Sequence, residues 1–259
     1  MSYIEKFKLK NKLAFVVGSG LIGLKIINAF LEAEAKVILI DKIKNNTSSL
    51  KKNNKFKFEK IDISNINLIE KKYHLLTKKY GVPHVFVNCS YPKTKDWKQN
   101  SFSKIKADSF SKNINLHLNT FSWLAKIVAD SMIRNKIKGS IIQLSSIYGV
   151  VGQNLNIYEG TNMKESMTYS VIKGGINNLT RQMASYYGKY GIRVNSLCAG
   201  GVEDKKQVKR FKKNYSKNVP MRRLAKSEEI ALSALFLSSD ASSYITGTSF
   251  MVDGGWTAI

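Results

Sequence analysis

Cysteine and proline are scarce in this sequence, and each shortage excludes a class of protein. The two cysteines, Cys89 and Cys198, lie far apart without neighbouring metal ligands, so we expect neither a disulfide scaffold nor a metal site. We interpret both as reduced thiols of a cytoplasmic protein. With 3 prolines in 259 residues, no proline-rich linker divides the chain.

Long apolar runs are missing as well. The longest have the length of a strand, well short of the roughly 20 residues that a membrane-spanning helix needs. Residues 1–12 are polar and rich in lysine, without the apolar segment of a secretory signal. We therefore expect no association with a membrane.

The shortage of acidic residues makes the chain strongly basic, because 18 Asp and Glu face 42 Lys and Arg, for a net charge of +24 at pH 7. This charge has three interpretations: a nucleic-acid partner, an anionic small substrate, or lysine enrichment over the whole surface. The lysines are spread from Lys6 to Lys226 without the aromatic-basic pattern of single-strand binders. Surface enrichment is favoured, an anionic substrate stays open, and nucleic acid is the least favoured partner.

Strand-length apolar runs alternate with longer helix-spaced patterns along the whole chain. The predicted strands are 13–17, 36–40, 56–61, 85–87, 140–144, 193–198 and 249–252, and the predicted helices are 21–34, 65–80, 108–135, 169–190 and 227–238. This alternation predicts an α/β fold of one domain over residues 1–259, with a parallel sheet covered by helices on both faces. Residues 150–168 and 202–226 fall outside it and should cover the carboxyl ends of strands, where such sheets bind ligands.

A glycine motif follows the first predicted strand and opens the first helix, which predicts a loop for the pyrophosphate of a dinucleotide. Its residues are Gly18, Ser19, Gly20, Leu21, Ile22 and Gly23. Asp41 ends the second strand, about 20 residues on, where an acid meets the ribose hydroxyls of adenosine. Such an acid repels a 2′-phosphate, which favours NAD(H) over NADP(H), although Lys42 and Lys44 could soften that preference. The alternative is a glycine-rich turn without a ligand.

Tyr169 and Lys173 are four residues apart on a predicted helix, so their side chains share one face. A free phenol, with a pKa near ~10, is a poor base at neutral pH, and a nearby cation lowers that pKa. The pair alone is weak evidence because the spacing is common by chance. Ser145 and Ser146 strengthen it, since they end a buried strand where a hydroxyl could hold a substrate oxygen.

The motifs, in this order, resemble the short-chain dehydrogenase/reductase family nearly from end to end. The matching stretches are the glycine motif, Asp62 in IDIS, Asn88 in VFVNCS, Asn115 in NINLHL, Ser146 in LSSIYG, Tyr169 with Lys173, Asn195 in RVNSLCAGG, and ITG…VDGGW. The resemblance implies a doubly wound Rossmann fold with a seven-stranded parallel sheet. It also implies a homo-oligomer, a tetramer or a dimer, packed through the helices that contain Asn115 and Tyr169.

By the same resemblance, Tyr169 is the general acid/base, and Lys173 binds the nicotinamide ribose and lowers the pKa of Tyr169. Ser146 orients the substrate oxygen and is preferred over Ser145 because it precedes the x-x-Gly149 pattern. Asn115 is expected to hold a water in the proton relay, with Asn113 as the alternative position.

The resemblance also assigns cofactor-binding roles to residues that follow several of the predicted strands. Asp62 and Ile63 are expected at the adenine, Val202 at the carboxamide through its backbone, and Asn88, Cys89, Ser90 and Gly200 along the cleft. The chain departs from the family pattern at several of these positions. The glycine loop is one residue shorter, Val17 replaces a threonine, and Asp204 stands where a threonine often reaches the cofactor amide, which puts the loop geometry in question.

The segment between Ser146 and Tyr169 is longer than in most relatives. Together with Tyr91–Lys93 and the closing VDGGW, it resembles a subgroup of the family linked to surface-polysaccharide and flagellin-modification sugars. The expected substrate residues are Tyr91, Lys93, Ser146, Tyr158, Glu159 and Asn162, with Tyr158 stacked on a sugar face. Lys95, Lys164 and the lysines of 205–213 could attract a phosphate, or the whole segment could be solvated loops. The three histidines, His74, His84 and His117, are interpreted as structural or surface residues. If one of them has a functional role, His117 is the first candidate because it neighbours Asn115.

These observations favour hydride transfer between NAD(H) and an alcohol or ketone carbon, on a sugar or sugar-nucleotide. One alternative is a reductase for a 3-oxoacyl thioester or another carbonyl, using the same residues. Another is a dinucleotide-binding protein without catalysis.

Overall fold

Seven parallel strands form one central sheet in the computed structural model, which describes residues 2–43, 47 and 50–259. The strands are β1 (Leu13–Val17), β2 (Lys36–Asp41), β3 (Phe56–Lys60), β4 (Val85–Asn88), β5 (Ser140–Ser146), β6 (Arg193–Ala199) and β7 (Ser249–Val252), in the spatial order β3-β2-β1-β4-β5-β6-β7. The prediction of a doubly wound, seven-stranded parallel sheet is confirmed. That the chain is a single domain stays a prediction.

The helices are α1 (Leu21–Glu32), α2 (Ile66–Tyr80), α3 (Ala107–Ile114), α4 (Thr120–Arg134), α5 (Met167–Tyr187), α6 (Lys209–Lys217) and α7 (Ser227–Ser238). One long helix was predicted over 108–135, but a π-helical turn, Asn115–Asn119, separates α3 from α4. Such turns arise where one extra residue enters a helix, and they rotate the side chains that follow. Among the described residues, no helix is long and apolar enough to cross a bilayer.

The strands are apolar on both faces because helices cover both faces of the sheet. Val16 and Leu39 pack with residues of α1 and α7 on one face, whereas their strand neighbours Phe15 and Ile38 pack with residues of α2, α4 and α5 on the other. Successive residues of a strand point to opposite faces, so each strand contributes to both cores.

The two segments outside the alternation pack on each other at the carboxyl ends of β5 and β6. Ile157 from the first segment and Phe211 and Tyr215 from the second share a buried cluster with Trp256. Asn214 also donates a hydrogen bond to the carbonyl of Glu159 at 2.8 Å. The two segments therefore form one cover rather than separate loops.

Gly149 determines how closely the turn after β5 approaches α5. A Cβ at this position would lie 2.6 Å from the backbone carbonyl of Lys173 and 2.6 Å from Asn177 Nδ2. Side-chain carbons do not approach other atoms so closely, so only glycine allows this contact between the turn and the helix.

We expect Gly149→Ala to lower the free energy of unfolding by about 1–3 kcal/mol, because the added carbon overpacks the contact with α5. Urea denaturation of the purified protein measures the change. Gly152→Ala is the matched control, since a Cβ there meets no atom within 4 Å. Equal midpoints for the two variants would contradict the assignment.

Candidate active site

The carboxyl ends of the central strands border a long groove made of two adjoining cavities. The first, of about 370 Å³, is lined by Gly18–Gly20, Asp41–Lys42, Ile61–Ser64 and Cys89–Lys93 among others. The second, of about 290 Å³, is lined by residues that include Gly20–Gly23, Tyr169, Lys173, Gly200 and Val202. Gly20, Cys89, Ser90 and Tyr91 border both cavities. The groove thus joins the glycine loop to the tyrosine–lysine pair.

A larger cavity, of about 650 Å³, lies at the opposite edge of the sheet, where it is bordered by His84 and Arg193. No residue predicted to be catalytic or to bind cofactor or substrate lines it. The smaller groove is therefore the candidate site.

Glycine is needed at each of the three loop positions for a different physical reason. Gly18 has φ +102°, and a Cβ there would lie 2.7 Å from the backbone of Ser90. At Gly23 a Cβ would lie 2.1 Å from the carbonyl oxygen of Gly18, so this glycine lets α1 pack against the loop. Gly20, the N-cap of α1, has open space where a Cβ would stand. An anion can therefore approach the helix N-terminus there.

Asp41 is held against the glycine loop. Its Oδ2 accepts hydrogen bonds from the Ser19 N–H at 2.7 Å and the Ser19 hydroxyl at 2.6 Å, and its Oδ1 accepts one from the Ile43 N–H at 3.2 Å. The carboxylate therefore braces the loop as well as bordering the groove. Lys42 borders the same cavity, whereas Lys44 lies outside the described residues.

The far end of the groove is formed by the loop after β3. Asp62 and Ile63 border it, as expected for the adenine end. Burial alone would raise the pKa of Asp62, but hydrogen bonds from Ser64 and the charges of Lys42 and Lys72 lower it below its usual value. Asp62 is therefore ionised at neutral pH.

The residues after β4 form the floor between the two cavities. Asn88 Oδ1 accepts hydrogen bonds from the Ser90 hydroxyl at 2.8 Å and from its N–H at 3.3 Å. Cys89 Sγ donates to the Val17 carbonyl at 3.1 Å, and burial raises the pKa of this thiol to about 12. Cys89 therefore packs behind the loop as a neutral thiol.

Tyr169 and Lys173 meet at the inner end of the groove. Ser166, the N-cap of α5, accepts a hydrogen bond from the Tyr169 N–H at 3.2 Å, so both side chains project from the first turns of the helix. Lys173 Nζ donates to the Leu144 carbonyl at 2.8 Å and lies 5.6 Å from the centre of the Tyr169 ring. Burial lowers the pKa of Lys173 to about 7 and raises the pKa of Tyr169.

Of the two serines that end β5, Ser146 faces the phenol. Its hydroxyl opposes the rise in the pKa of Tyr169, and it accepts a hydrogen bond from the Tyr148 N–H at 3.2 Å. The Ser145 hydroxyl donates instead to the backbone carbonyl of Lys173 at 3.3 Å. Ser145, rather than Ser146, is among the residues that line the second cavity, but the Ser146 hydroxyl is the one that acts on the Tyr169 phenol.

The structure does not bring Asn115 to this site. Asn115 is exposed, and its side-chain oxygen accepts a hydrogen bond from Asn119 Nδ2 at 2.6 Å. The alternative, Asn113, is buried but braces the loop after β4 by accepting from the Thr94 N–H at 2.9 Å. His117 is the side chain of this turn that points inward, because residues two apart on a helix lie on different faces.

Gly200 and Val202 follow β6 and border the second cavity. The Val202 carbonyl accepts a hydrogen bond from Gln207 Nε2 at 2.9 Å, and the neighbouring Gly201 N–H donates to the Tyr215 hydroxyl at 2.5 Å. Asp204 accepts from the Lys206 N–H at 2.8 Å and so braces its own loop. No sequence pattern singles out Tyr215, which lies in a lysine-rich segment.

Of the expected substrate residues outside β5, Tyr91 lies closest to the pair. Its ring is edge-on to Tyr169, with 6.0 Å between centres, and Lys93 Nζ lies 5.2 Å from the centre of the Tyr91 ring. Trp97, which the sequence reasoning missed, packs edge-on against both tyrosines. These rings form an aromatic wall beside Tyr169.

The other substrate expectations need correction. Tyr158 stacks on Phe211 with 6.2 Å between ring centres, and its hydroxyl donates to Gln153 at 3.1 Å, so this ring face belongs to the cover. Glu159 and Asn162 are exposed and border neither cavity of the groove. The apolar residues of α6 pack against this segment, whereas the Tyr158 phenol still lies near enough to Tyr91 to raise its pKa.

Comparison with known proteins decides the family. A sequence model described as enoyl-(acyl carrier protein) reductase matches residues 18–257. The chain is 35% identical to post-translational flagellin modification protein A of Campylobacter coli, over 96% of this chain and 99% of that protein. The chain belongs to the short-chain dehydrogenase/reductase family. It is therefore an NAD(P)-dependent oxidoreductase that acts on CH–OH groups.

Other members support the same assignment. A 3-oxoacyl-(acyl-carrier-protein) reductase of Chlamydia muridarum is 29% identical, over 95% of this chain and 98% of that protein. The crystal structure of a short-chain dehydrogenase from Leptospira borgpetersenii, with bound NAD+, superposes with a TM-score of 0.87 at 28% identity and covers 96% of this chain and 94% of that one.

The groove of this short-chain dehydrogenase fits a nicotinamide dinucleotide. Two joined cavities match the two halves of such a cofactor, and the open space at Gly20 lies where they meet. Among the described residues, no cluster of three or more histidine, cysteine, aspartate or glutamate side chains could hold a metal.

We expect Gly20→Ala to weaken NAD+ binding about tenfold or more, ~1.4 kcal/mol, because the added carbon enters the space beside the helix N-terminus. The urea midpoint should stay unchanged. Titration calorimetry with NAD+ measures the binding.

Gly23→Ala is the contrasting variant, since its Cβ would collide with the Gly18 carbonyl. It should lose stability as well as binding. Normal NAD+ affinity in folded Gly20→Ala would show that the cofactor lies elsewhere.

Proposed function

We propose that this enzyme transfers a hydride reversibly between NAD(H) and an alcohol or ketone carbon of a sugar or sugar-nucleotide. The observation that carries the proposal is that Tyr169 and Lys173 line the inner end of the groove, with the Ser146 hydroxyl against the Tyr169 phenol. The bound nicotinamide would accept or supply the hydride. The side chains then have only the proton of the substrate oxygen to move.

Tyr169 is the proposed general acid/base. During oxidation its phenolate takes the hydroxyl proton of the substrate, while the Ser146 hydroxyl holds the same oxygen. Burial raises the pKa of Tyr169, so the phenolate needs a positive charge nearby. Lys173 supplies it, and the forming phenolate in turn favours the ammonium form of Lys173. The oxidation rate should therefore rise with pH as the coupled pair of Tyr169 and Lys173 loses one proton, which leaves the phenolate beside the ammonium.

Two observations support a sugar-type substrate. The Campylobacter relative is named for flagellin modification, and the aromatic wall of Tyr91 and Trp97 stands beside the reacting phenol. Aromatic faces and edges pack well against the apolar C–H patches of a sugar ring. Lys93 adds a positive charge for an anionic substrate or a nucleotide diphosphate.

The relative from Chlamydia supports a second candidate, reduction of a 3-oxoacyl thioester with the same residues. Competition between nucleotide-linked sugars and a 3-oxoacyl thioester, followed by NADH absorbance, separates the two. Binding of NAD+ without turnover on any alcohol or ketone would favour the non-catalytic alternative.

We also propose a homo-oligomer that packs through α4 and α5. Trp123 on α4 and Val171 on α5 are each 42% exposed, which leaves apolar surface on both helices. Apolar surface shared by two neighbouring helices is a candidate contact for a second subunit.

We expect Tyr169→Phe to lower kcat about 10²- to 10⁴-fold, because it removes the proton-transferring hydroxyl. NAD+ affinity and stability should change little. The measurement is NADH formation with the best substrate of a nucleotide-sugar panel.

Tyr186→Phe is the matched control, since Tyr186 lies on the same helix and is 55% exposed. It should retain full activity. Comparable turnover by the Tyr169→Phe enzyme would rule out the mechanism.

For the cofactor we propose NAD(H) over NADP(H), on the position of the Asp41 carboxylate at the groove. Asp41→Ala should shift the ratio of the two dissociation constants towards NADP+ by about tenfold, ~1.4 kcal/mol, because the repulsion of a 2′-phosphate is removed. Fluorescence titration with NADH and NADPH measures both constants.

Ser19→Ala separates charge from loop bracing, because it loses the hydroxyl bond to Asp41 but keeps the carboxylate. This variant should bind both cofactors more weakly and keep the preference for NADH. An unchanged ratio in Asp41→Ala would contradict the proposal.

A further inference from the structure

His117 is a buried imidazole for which the described residues offer no hydrogen-bond partner. Its exposed fraction is 0%, and neither Nδ1 nor Nε2 is bonded to any of them. A neutral imidazole has one donor and one acceptor, and buried polar atoms are normally bonded. By contrast, Nδ1 of His84 accepts a hydrogen bond from the Leu13 N–H at 3.2 Å. His117 therefore requires an explanation beyond packing.

The groups around His117 form a closed ring with the proposed proton-transfer pair. The His117 ring lies 4.8 Å from Phe121 and 5.4 Å from Tyr91, between ring centres. Lys173 Nζ lies 5.5 Å from the centre of Phe121 and 5.6 Å from that of Tyr169, and Tyr91 lies 6.0 Å from Tyr169. His117 thus faces Lys173 across this ring of five groups.

The charge state of His117 suits a hydrogen-bond acceptor. Burial, and then the charge of Lys173, lower the pKa of His117 well below its usual value, so the imidazole is neutral. The charged and titratable groups that face it are Lys173 from α5 and Tyr91 from the loop after β4. The pKa values of Tyr91 and of Tyr169, the other titratable member of the ring, are both raised, so Lys173 is the group of the ring that loses its charge near neutral pH.

We propose that His117 is a positioning residue for Lys173, with its neutral imidazole accepting a hydrogen bond from the ammonium through one water. This role rests on the proposed function of Tyr169 and Lys173. The ammonium has three donors, of which Leu144 takes one. An acceptor within the ring stabilises the charged form and holds Nζ where it acts on Tyr169. His117 would thereby fill the position in the relay that the sequence reasoning gave to Asn115.

The histidine ¹⁵N resonances test this coupling without any substrate. The chain has three histidines, so His74 and His84 serve as internal controls. Between about pH 6 and about pH 9 we expect the lone-pair nitrogen of His117 to shift as Lys173 loses its proton, without becoming protonated itself. The transition should be centred near pH 7, at the pKa of Lys173.

Two Lys173 variants decide the result. In Lys173→Met the His117 transition should disappear, and in Lys173→Arg the signal should stay at its low-pH position because the cation is permanent. An unchanged His84 signal reports that each variant is folded. A His117 resonance that is flat in the unmodified protein, or that titrates identically in Lys173→Met, would overturn the proposal.

Activity gives a second readout. His117→Phe should move the pH profile of oxidation about one unit upward, which is about a tenfold loss of kcat at neutral pH, because the Lys173 ammonium loses its acceptor. His117→Asn or His117→Gln, whose amides keep an acceptor, should restore most of the rate. Equal profiles in all three variants would indicate a packing role only. An intact His117 ¹⁵N transition in an unmodified protein that turns over no alcohol or ketone would instead count against the proposed function.

Discussion

The burial of one charged group between β5 and α5 underlies the rest of the site. Lys173 is 3% exposed, its Nζ donates to the Leu144 carbonyl, and its own carbonyl accepts from Ser145. Gly149 lets the turn after β5 reach the same stretch of helix backbone. Sheet and helix thus meet at Lys173, and this contact places Ser146 opposite Tyr169. The rings of Phe121 and Tyr169 partly offset the lost hydration of the ammonium.

Sequence reasoning succeeded where a pattern depends on local geometry. The alternation of apolar runs predicted the parallel sheet, since strands buried on both faces must be apolar throughout. The glycine motif predicted a close approach at the start of α1, and the Tyr169–Lys173 spacing predicted a shared helix face. Each of these depends on residues within a few positions of one another.

The predictions for Asn115 and Tyr158 failed because the orientation of these side chains depends on a helix irregularity or on a segment distant in the sequence. A regular helix over 108–135 gives no reason to prefer His117 over Asn115, but the π-helical turn Asn115–Asn119 directs His117 inward. Tyr158 was expected at a sugar face, but its ring stacks on Phe211 of α6, a helix in which four of nine residues are lysine. Neither the inserted residue in the helix nor the pairing of the two covering segments leaves a periodic signal.

Tyr215 gives the cover a mechanical link to the cofactor groove. Its ring stacks on Trp256 at 4.5 Å between centres, and its hydroxyl accepts the hydrogen bond of the Gly201 N–H, one residue from the groove lining at Val202. Any outward movement of α6 must break that bond and strip the amide of its acceptor. The position of α6 and the shape of the groove at Val202 are therefore coupled, so displacement of the cover would also loosen that end of the groove.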